Sequence, residues 1–239
     1  MNPIQELLIT ELKKAAINPD EETGAKLFDF IDRLLEGNQT TNLTAITDYQ
    51  EALFKHIYDA LMIVKRPEYF QAERILDIGS GAGIPGIPLA ICTPDKRIIS
   101  LDSVQKKIKF QAQTCRALNI LNVRPVWARA EDFIKDGEQR EQFDLVLARA
   151  VAPLNVLVEL TVPFLKLQGY ALLYKGRDYQ QELQAAQKAI TIVGGRVSET
   201  ITTELPLNYG TRTLIVIQKV QLTPGKYPRK AGVPQKNPL

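Results

Sequence analysis

Apolar positions divide the chain into a helical first part and an alternating second part. Up to residue 70 they recur every three or four positions, which is the spacing of amphipathic helices. Residues 4–17 form the first predicted helix, and Asn18-Pro19 supplies an N-cap and a first-turn proline for a second. Asp48 and Glu51 make a capping box for a third helix. The first 70 residues are therefore predicted to form a helical cap.

From residue 74 the pattern changes to short apolar runs, several of them rich in β-branched residues, separated by helical segments. The runs are residues 75–78, 97–101, 123–128, 143–148 and 170–174, and the clearest helices are 104–119, 153–166 and 179–193. This alternation predicts a parallel sheet with helices on both faces. Two closing strands, 196–203 and 211–220, are too close for a crossover helix and must form an antiparallel hairpin at the sheet edge. The predicted fold is α/β, with a seven-stranded, mostly parallel sheet.

The last part of the chain differs again in composition. Prolines at positions 224, 228, 234 and 238 exclude a regular helix or a central strand, so an extended or mobile tail is expected. We therefore divide the chain into a helical cap (1–70), a sheet domain (71–220) and a basic, proline-rich tail (221–239).

Composition and charge narrow the class of protein. An apolar share of 45% supports a packed core, and no window approaches the roughly 18 apolar residues of a membrane span. Two cysteines far apart predict neither a disulfide framework nor a metal site, which fits a reducing cytoplasm. Residues 1–70 carry 7 basic and 12 acidic side chains, whereas the tail carries 4 basic and none acidic. This segregation suits a polyanionic partner on one side, or it serves solubility alone.

A glycine turn after the first strand is the strongest chemical signal. Gly79, Gly81 and Gly83 lie between a strand and a helix, an arrangement that binds nucleotide-like cofactors. The dinucleotide fingerprint of NAD or FAD enzymes can be drawn on Gly81, Gly83 and Gly86. Two prolines in the first helical turns, at positions 85 and 88, count against it. Asp77 counts against it too, because its carboxylate would repel a diphosphate.

The same Asp77 favours a cationic cofactor. S-Adenosylmethionine carries an ammonium and a sulfonium group, and an acid before the glycine turn attracts both; alternatively, Asp77 only caps the turn. Asp102 ends the second strand 23 residues beyond Gly79, close to the spacing of roughly 20 at which an acid meets ribose hydroxyls. After the third strand, the N–H of Ala130 and the carboxylate of Glu131 or Asp132 can read adenine. The two acids also suit a helix N-terminus.

Basic residues follow several strands at the same predicted edge of the sheet. Arg149 ends the fourth strand, Lys175 ends the fifth, and Lys106 follows the loop that begins at Asp102. In open α/β sheets the reacting centre lies beyond the carboxyl ends of the strands. These cations predict a phosphate-bearing substrate, although a structural ion pair is the alternative for Arg149.

A series of motifs in order along the chain resembles one known family. The motifs are NLTAI at 42–46, KHIYDA at 55–60, LDIGSGAGIPGIPLA at 76–90, LDSVQKK at 101–107, ARAED at 128–132, ARAVAPL at 148–154 and YKGR at 174–177. Together they resemble the ribosomal RNA small-subunit methyltransferase G family, also called GidB. The resemblance implies a Rossmann-like methyltransferase sheet and methyl transfer from S-adenosylmethionine to N7 of a guanine in the 530 loop of 16S rRNA. It places cofactor positions on Gly79, Ile84, Ala130, Glu131 and Arg149.

The sequence lacks the motifs of two other classes of nucleic-acid methyltransferase, which agrees with methylation at N7 of guanine. An exocyclic amine methyltransferase usually shows an (N/D/S)-P-P-(Y/F) motif after the fourth strand, where this chain has Ala-Arg-Ala-Val. A 5-methylpyrimidine methyltransferase needs a nucleophilic cysteine beside the cofactor, and neither cysteine of this chain is expected at a strand end. The N7 lone pair carries no proton, so no general base is required. We therefore assign Arg149, Lys175 and Lys106 to substrate positioning. The expected partner is 16S rRNA or the small ribosomal subunit. The protein itself is expected to be a cytoplasmic monomer. A nicotinamide or flavin oxidoreductase and a non-catalytic ribosome assembly factor are the alternatives.

Three other side chains have less specific predictions. His56, on the third helix, is expected to make a hydrogen bond from cap to core or a contact to RNA. Trp127 and Tyr174 lie next to candidate site residues, and in strands both are expected to be core residues rather than platforms for stacked bases.

Overall fold

The computed structural model describes residues 1–135 and 138–239 and contains one seven-stranded sheet. Its strands are β1 (Arg74–Ile78), β2 (Arg97–Asp102), β3 (Val123–Trp127), β4 (Phe143–Arg149), β5 (Leu165–Lys175), β6 (Gly195–Glu204) and β7 (Thr211–Lys219). The strand order is β3-β2-β1-β4-β5-β7-β6, and β7 runs antiparallel to both of its neighbours. The predicted fold class is confirmed, including the antiparallel closing hairpin.

The central strands are buried on both faces, as a parallel sheet between helices requires. Ile75 and Leu145 face one hydrophobic cluster, whereas their neighbours Leu76 and Val146 face another. The register places Asp77 beside Leu147 of β4, and Asp102 beside Trp127 of β3. The carboxyl ends of β1, β2 and β4 therefore meet at one edge of the sheet.

The helices surround this sheet, and those of the cap come first in the chain. They are α1 (Pro3–Lys14), α2 (Glu21–Asn38), α3 (Tyr49–Ala52), α4 (Asp59–Leu61), α5 (Pro67–Phe70), α6 (Gly86–Cys92), α7 (Gln105–Ala117), α8 (Ala130–Phe133), α9 (Leu154–Thr161), α10 (Tyr179–Ile192) and α11 (Val233–Lys236). No helix in the described part of the chain is long and apolar enough to cross a membrane.

Three helix predictions need correction. The N-cap of α2 is Asp20, whose side chain accepts from the N–H of Thr23, because it is better placed than Asn18 to satisfy the first turn. The third cap helix does begin after Asp48, but a π-helical segment, Leu53–Tyr58, separates α3 from α4. The helix predicted over 153–166 ends at Thr161, because β5 already begins at Leu165.

The cap and the sheet share one hydrophobic core. Leu8 and Phe54 of the cap belong to the same cluster as Leu145 and Val216 of the sheet, and all four are fully buried. The boundaries at residues 70 and 220 stay predictions, since this packing continues across the first of them.

The proline-rich tail is packed against the sheet domain, and residues 221–232 form neither helix nor strand, as their prolines predict. The mobility of the tail stays a prediction. Thr223, Tyr227 and Pro234 are buried, and α11 forms one turn of helix near the end of the chain. Prolines are compatible with this turn because Pro234 lies in its first positions, where no intrahelical N–H is needed.

Candidate active site

The glycine turn between β1 and α6 has the backbone conformation that glycine allows. Gly79, Gly81 and Gly83 have φ values of +68°, +59° and +94°. A Cβ atom built on Gly79 would lie 2.4 Å from Cγ2 of Val151, in the loop after β4. The N–H groups of Gly79 and Ser80 both donate to the carbonyl oxygen of Leu101, at 2.8 and 3.1 Å. The turn is therefore fixed to β2 and covered by the loop that follows β4.

A cavity of about 200 Å³ opens beside this turn, at the carboxyl ends of β1 and β2. It brings together four predicted cofactor residues: Gly79, Asp102, Ala130 and Glu131. The other described lining residues were not predicted; they are Ile78, Leu101, Ser103, Ala128, Arg129, Val151, Val156, Leu160, Gly232, Pro234 and Gln235. Five predicted cofactor residues, Asp77, Gly81, Gly83, Ile84 and Arg149, are not among the described residues that line it.

Asp102 connects the glycine turn with the loop before α7. Its Oδ2 accepts from the N–H of Gly81 at 2.8 Å, and its Oδ1 accepts from the N–H of Val104 at 2.8 Å. Each carboxylate oxygen has two acceptor positions, so both remain able to accept from a ligand hydroxyl. Asp102 thus shapes the cavity and presents a carboxylate to it.

Ala130 and Glu131 also line the cavity, at the start of α8. As the first residue of the helix, Ala130 has an N–H without an intrahelical acceptor. Glu131 is buried, and its Oε1 accepts from the N–H of Gly232 at 3.0 Å. The N–H donor of Ala130 and the carboxylate acceptor of Glu131 therefore belong to adjacent residues, as hydrogen bonding to an adenine edge requires.

Asp77 lies beneath the turn rather than in the cavity. It is fully buried, and its Oδ2 accepts from the N–H of Gly86 at 3.0 Å, whereas its Oδ1 has no hydrogen-bond partner in the described chain. Burial raises the pKa of this carboxyl group to about 7, although the Gly86 hydrogen bond opposes the rise. The geometry matches the alternative in which Asp77 caps the turn, and its attraction for a cationic cofactor stays a prediction.

Arg149 takes part in a buried ionic cluster that joins the sheet to the cap. Its Nε lies 3.2 Å from Oδ2 of Asp59, and its Nη2 donates to the carbonyl oxygen of Lys55 at 2.6 Å. The other Asp59 oxygen accepts from Nε of Arg212 at 2.8 Å. Burial lowers the pKa of Arg149, and the nearby Asp59 opposes that effect. The structural ion pair considered for Arg149 is thus present.

The two lysines assigned to substrate positioning differ in exposure. Lys175 is largely buried and donates from Nζ to Glu182 and, at 2.8 Å, to the carbonyl oxygen of Ala152. Lys106 is exposed near the start of α7. Of these two, Lys106 is the one that a polyanion can reach without displacing an existing salt bridge.

His56 and Tyr174 are held inside the protein. His56 is buried and hydrogen-bonds through Nε2 to Oγ1 of Thr44 at 3.0 Å, so its partner lies within the cap rather than in the core domain. Burial lowers the pKa of His56 to about 3, and the nearby Arg149 contributes to this shift. The predicted burial of Tyr174 is confirmed, and its hydroxyl donates to the carbonyl oxygen of Ala60 at 3.2 Å.

Trp127 contradicts its prediction as a core residue. It is 57% exposed because it ends β3, which is the edge strand of the sheet. Its indole N–H donates to the carbonyl oxygen of Ser103 at 3.0 Å, beside the cavity. The chain's single tryptophan is therefore placed to report on ligand binding.

Neither cysteine is suited to nucleophilic catalysis. Burial raises the pKa of the Cys92 thiol to about 12 and that of the Cys115 thiol to about 11. Cys92 ends α6 and Cys115 lies inside α7, away from the strand ends. Both thiols stay protonated at neutral pH.

Comparison with known sequences decides the family. The family model described as "rRNA small subunit methyltransferase G" matches residues 23–208. This chain belongs to that family. Proteins named ribosomal RNA small subunit methyltransferase G from Alkaliphilus metalliredigens and Oceanobacillus iheyensis are each 41% identical to it, over 92% and 98% of both chains, respectively. The family predicted from the motifs is confirmed, and these matches support neither the oxidoreductase nor the non-catalytic alternative.

Solved structures agree on the fold alone. Cofactor-bound Rv0187 from MTB has a TM-score of 0.59 at 16% identity, covering 80% of this chain and 89% of its own. A putative O-methyltransferase from Klebsiella pneumoniae has a TM-score of 0.58 at 17% identity, covering 90% and 97%. This chain therefore shares its sheet architecture with both of these solved structures.

Proposed function

We propose that this chain transfers the methyl group of S-adenosylmethionine to N7 of a guanine in the 530 loop of 16S rRNA. The observation that supports this proposal best is the cavity at the carboxyl ends of β1 and β2, which is lined by Gly79, Asp102, Ala130 and Glu131. In doubly wound sheets this edge is where ligands bind. Because the relatives are named ribosomal RNA small subunit methyltransferases, the substrate we propose is 16S rRNA, free or within the small ribosomal subunit.

The residues of the cavity fit this cofactor chemically. Asp102 supplies a carboxylate for two ribose hydroxyls, and the N–H of Ala130 with the free acceptor positions of Glu131 suits an adenine edge. Apolar side chains suit the flat faces of the base; those that line the cavity are Ile78, Leu101, Val151, Val156 and Leu160. When bound, S-adenosylmethionine supplies a methyl group that its sulfonium makes electrophilic.

The protein's own contribution to this reaction is orientation. The lone pair of guanine N7 lies in the ring plane and carries no proton, so no residue has to act as a general base. The raised pKa values of Cys92 and Cys115 agree with a direct transfer that forms no covalent enzyme–base intermediate. Proximity and alignment alone can supply several kcal/mol of the barrier lowering, on the order of 7–11 in the best cases.

The cations assigned to the RNA differ in what binding would require of them. Lys106 is exposed and is proposed to bind phosphate directly. Arg149 and Lys175 would have to share their carboxylate partners, Asp59 and Glu182, with the substrate. We propose that Arg149 borders the methionine end of the cofactor and that Lys175 positions the RNA. The protein is proposed to act as a monomer in the cytoplasm, where ribosomal subunits are assembled.

Two measurements test this function. Calorimetry should show binding of S-adenosylmethionine and none of NAD, and the reverse result would refute the choice of cofactor. Mass spectrometry of 16S rRNA should show that cells lacking the gene lose 7-methylguanine in the 530 loop and regain it when the gene is restored. If the modification persists in the deletion strain, the proposed substrate is wrong.

A further inference from the structure

Among the contacts that anchor the tail, residues 221–239, to the described part of the sheet domain, three sets of hydrogen bonds involve buried or half-buried groups. The guanidinium of Arg140 donates to the carbonyl oxygens of Tyr227, Thr223 and Pro224, at 2.7, 3.0 and 3.2 Å. Thr223 donates from Oγ1 to the carbonyl oxygen of Val193 at 2.6 Å. These contacts hold the first half of the tail in a fixed path.

The third anchor is the pair formed by Arg229 and Glu159. Glu159 is fully buried on α9, and its carboxylate accepts from the backbone N–H of Arg229 at 2.8 Å and from Nη2 at 2.6 Å. A buried carboxylate is costly unless it is paired and hydrogen-bonded. The sheet domain thus carries an acid whose partner is supplied by the tail, which makes the tail part of the fold.

Beyond this anchor the tail enters the candidate cofactor site. Gly232 adopts a left-handed conformation with φ +82°, and its N–H donates to Oε1 of Glu131. Pro234 is buried, and Gly232, Pro234 and Gln235 line the same cavity as Gly79 and Asp102. The family model ends at residue 208, so the family match assigns no role to these residues.

We propose that residues Gly232 to Gln235 form the outer wall of the pocket for the adenosine part of the cofactor. Gly232 fixes one oxygen of Glu131, which leaves the other oxygen for the adenine amino group. The Pro234 ring supplies an apolar face opposite the strand ends. This inference rests on the proposed cofactor. It explains the size of the cavity, since about 200 Å³ is less than the roughly 300–1,000 Å³ of typical small-molecule sites and suits a closely enclosed part of a ligand.

The test compares two proline variants of the full-length chain. Pro234→Ala removes ring atoms from the wall, whereas Pro238→Ala makes the same change at an exposed position outside the cavity. Binding of S-adenosylmethionine and of S-adenosylhomocysteine is followed by calorimetry and by the fluorescence of Trp127. For Pro234→Ala we expect both dissociation constants to rise about fivefold, or about 1 kcal/mol at 1.4 kcal/mol per tenfold change. For Pro238→Ala we expect no change.

A measurement on the unmodified protein tests the same proposal even if Pro234→Ala impairs folding. Saturating S-adenosylhomocysteine should slow hydrogen exchange of the amides in residues 231–236, while exchange in the hairpin turn, residues 205–210, should not change. Equal dissociation constants for the two variants would refute the proposal that Gly232 to Gln235 form the pocket wall. Unchanged hydrogen exchange in residues 231–236 on ligand binding would refute it as well. If the unmodified protein binds neither ligand, the proposed cofactor fails and the wall fails with it, which is a distinct result.

Discussion

Asp59 should be among the most sensitive positions for stability, because one carboxylate balances two arginines in the buried ionic cluster. It is fully buried, and Arg149 and Arg212 are both largely buried. Asp59→Asn keeps the shape of the side chain but leaves both cations without a counter-charge. Breaking a buried pair in this way costs about 3–5 kcal/mol. We therefore expect a loss of that size in the free energy of unfolding.

Urea unfolding at pH 7, followed by far-UV circular dichroism, measures this loss. The matched control is Glu22→Gln, which removes a carboxylate from an exposed cap pair with Lys26 and should cost less than about 1 kcal/mol. With an m-value of about 2–3 kcal/mol/M, Asp59→Asn should lower the urea midpoint by about 1–2.5 M. If the two variants differ by less than about 1 kcal/mol, the cluster does not hold the cap to the sheet.

Three further variants, one of them with a matched control, test the site and its electrostatics. Asp102→Ala should weaken S-adenosylmethionine binding by about 1.5–3 kcal/mol through lost hydrogen bonds to a charged group, and an unchanged dissociation constant in calorimetry would remove Asp102 from the site. The Asp77 carboxyl has a pKa of about 7 when folded and 3.8 ordinarily, so between these values the folded state binds a proton that the unfolded state has released. The free energy of unfolding therefore falls as pH rises across this window, and Asp77→Asn should flatten the profile in urea titrations; parallel profiles would contradict the assignment. Lys106→Ala should reduce methyl transfer to 16S rRNA at an unchanged cofactor dissociation constant, whereas Lys109→Ala, exposed further along α7, should have less effect; equal rates for the two variants would exclude a specific contact at Lys106.

Local patterns predicted the fold well because the central strands β1, β2 and β4 are short, apolar and almost entirely buried. A run such as residues 143–148 is readable from its own residues, whatever it packs against. The same holds for part of the site. Since parallel strands end at one edge, the positions of Gly79 and Asp102 within their segments sufficed to place them beside one cavity.

The remaining features depend on partners that are distant along the chain. Arg149 pairs with Asp59 of the cap, and Lys175 donates to the carbonyl oxygen of Ala152 in the loop after β4. No local motif reveals that either charge already has these partners. The exposure of Trp127 depends on β3 being an edge strand, which is a property of the strand order. The tail approaches the cavity through a backbone N–H and a proline ring, and neither has a recognisable sequence signal.

The buried ionic cluster also sets an order of events during synthesis of the chain. Asp59 leaves the ribosome early, but Arg212 follows 153 residues later. At typical rates of about 5–20 residues per second, the carboxylate waits roughly 8–30 seconds for its second cation. The cap cannot bury Asp59 in its final environment until β7 has been made. The nascent chain would therefore complete this ionic cluster only after nearly all of the sheet has been translated.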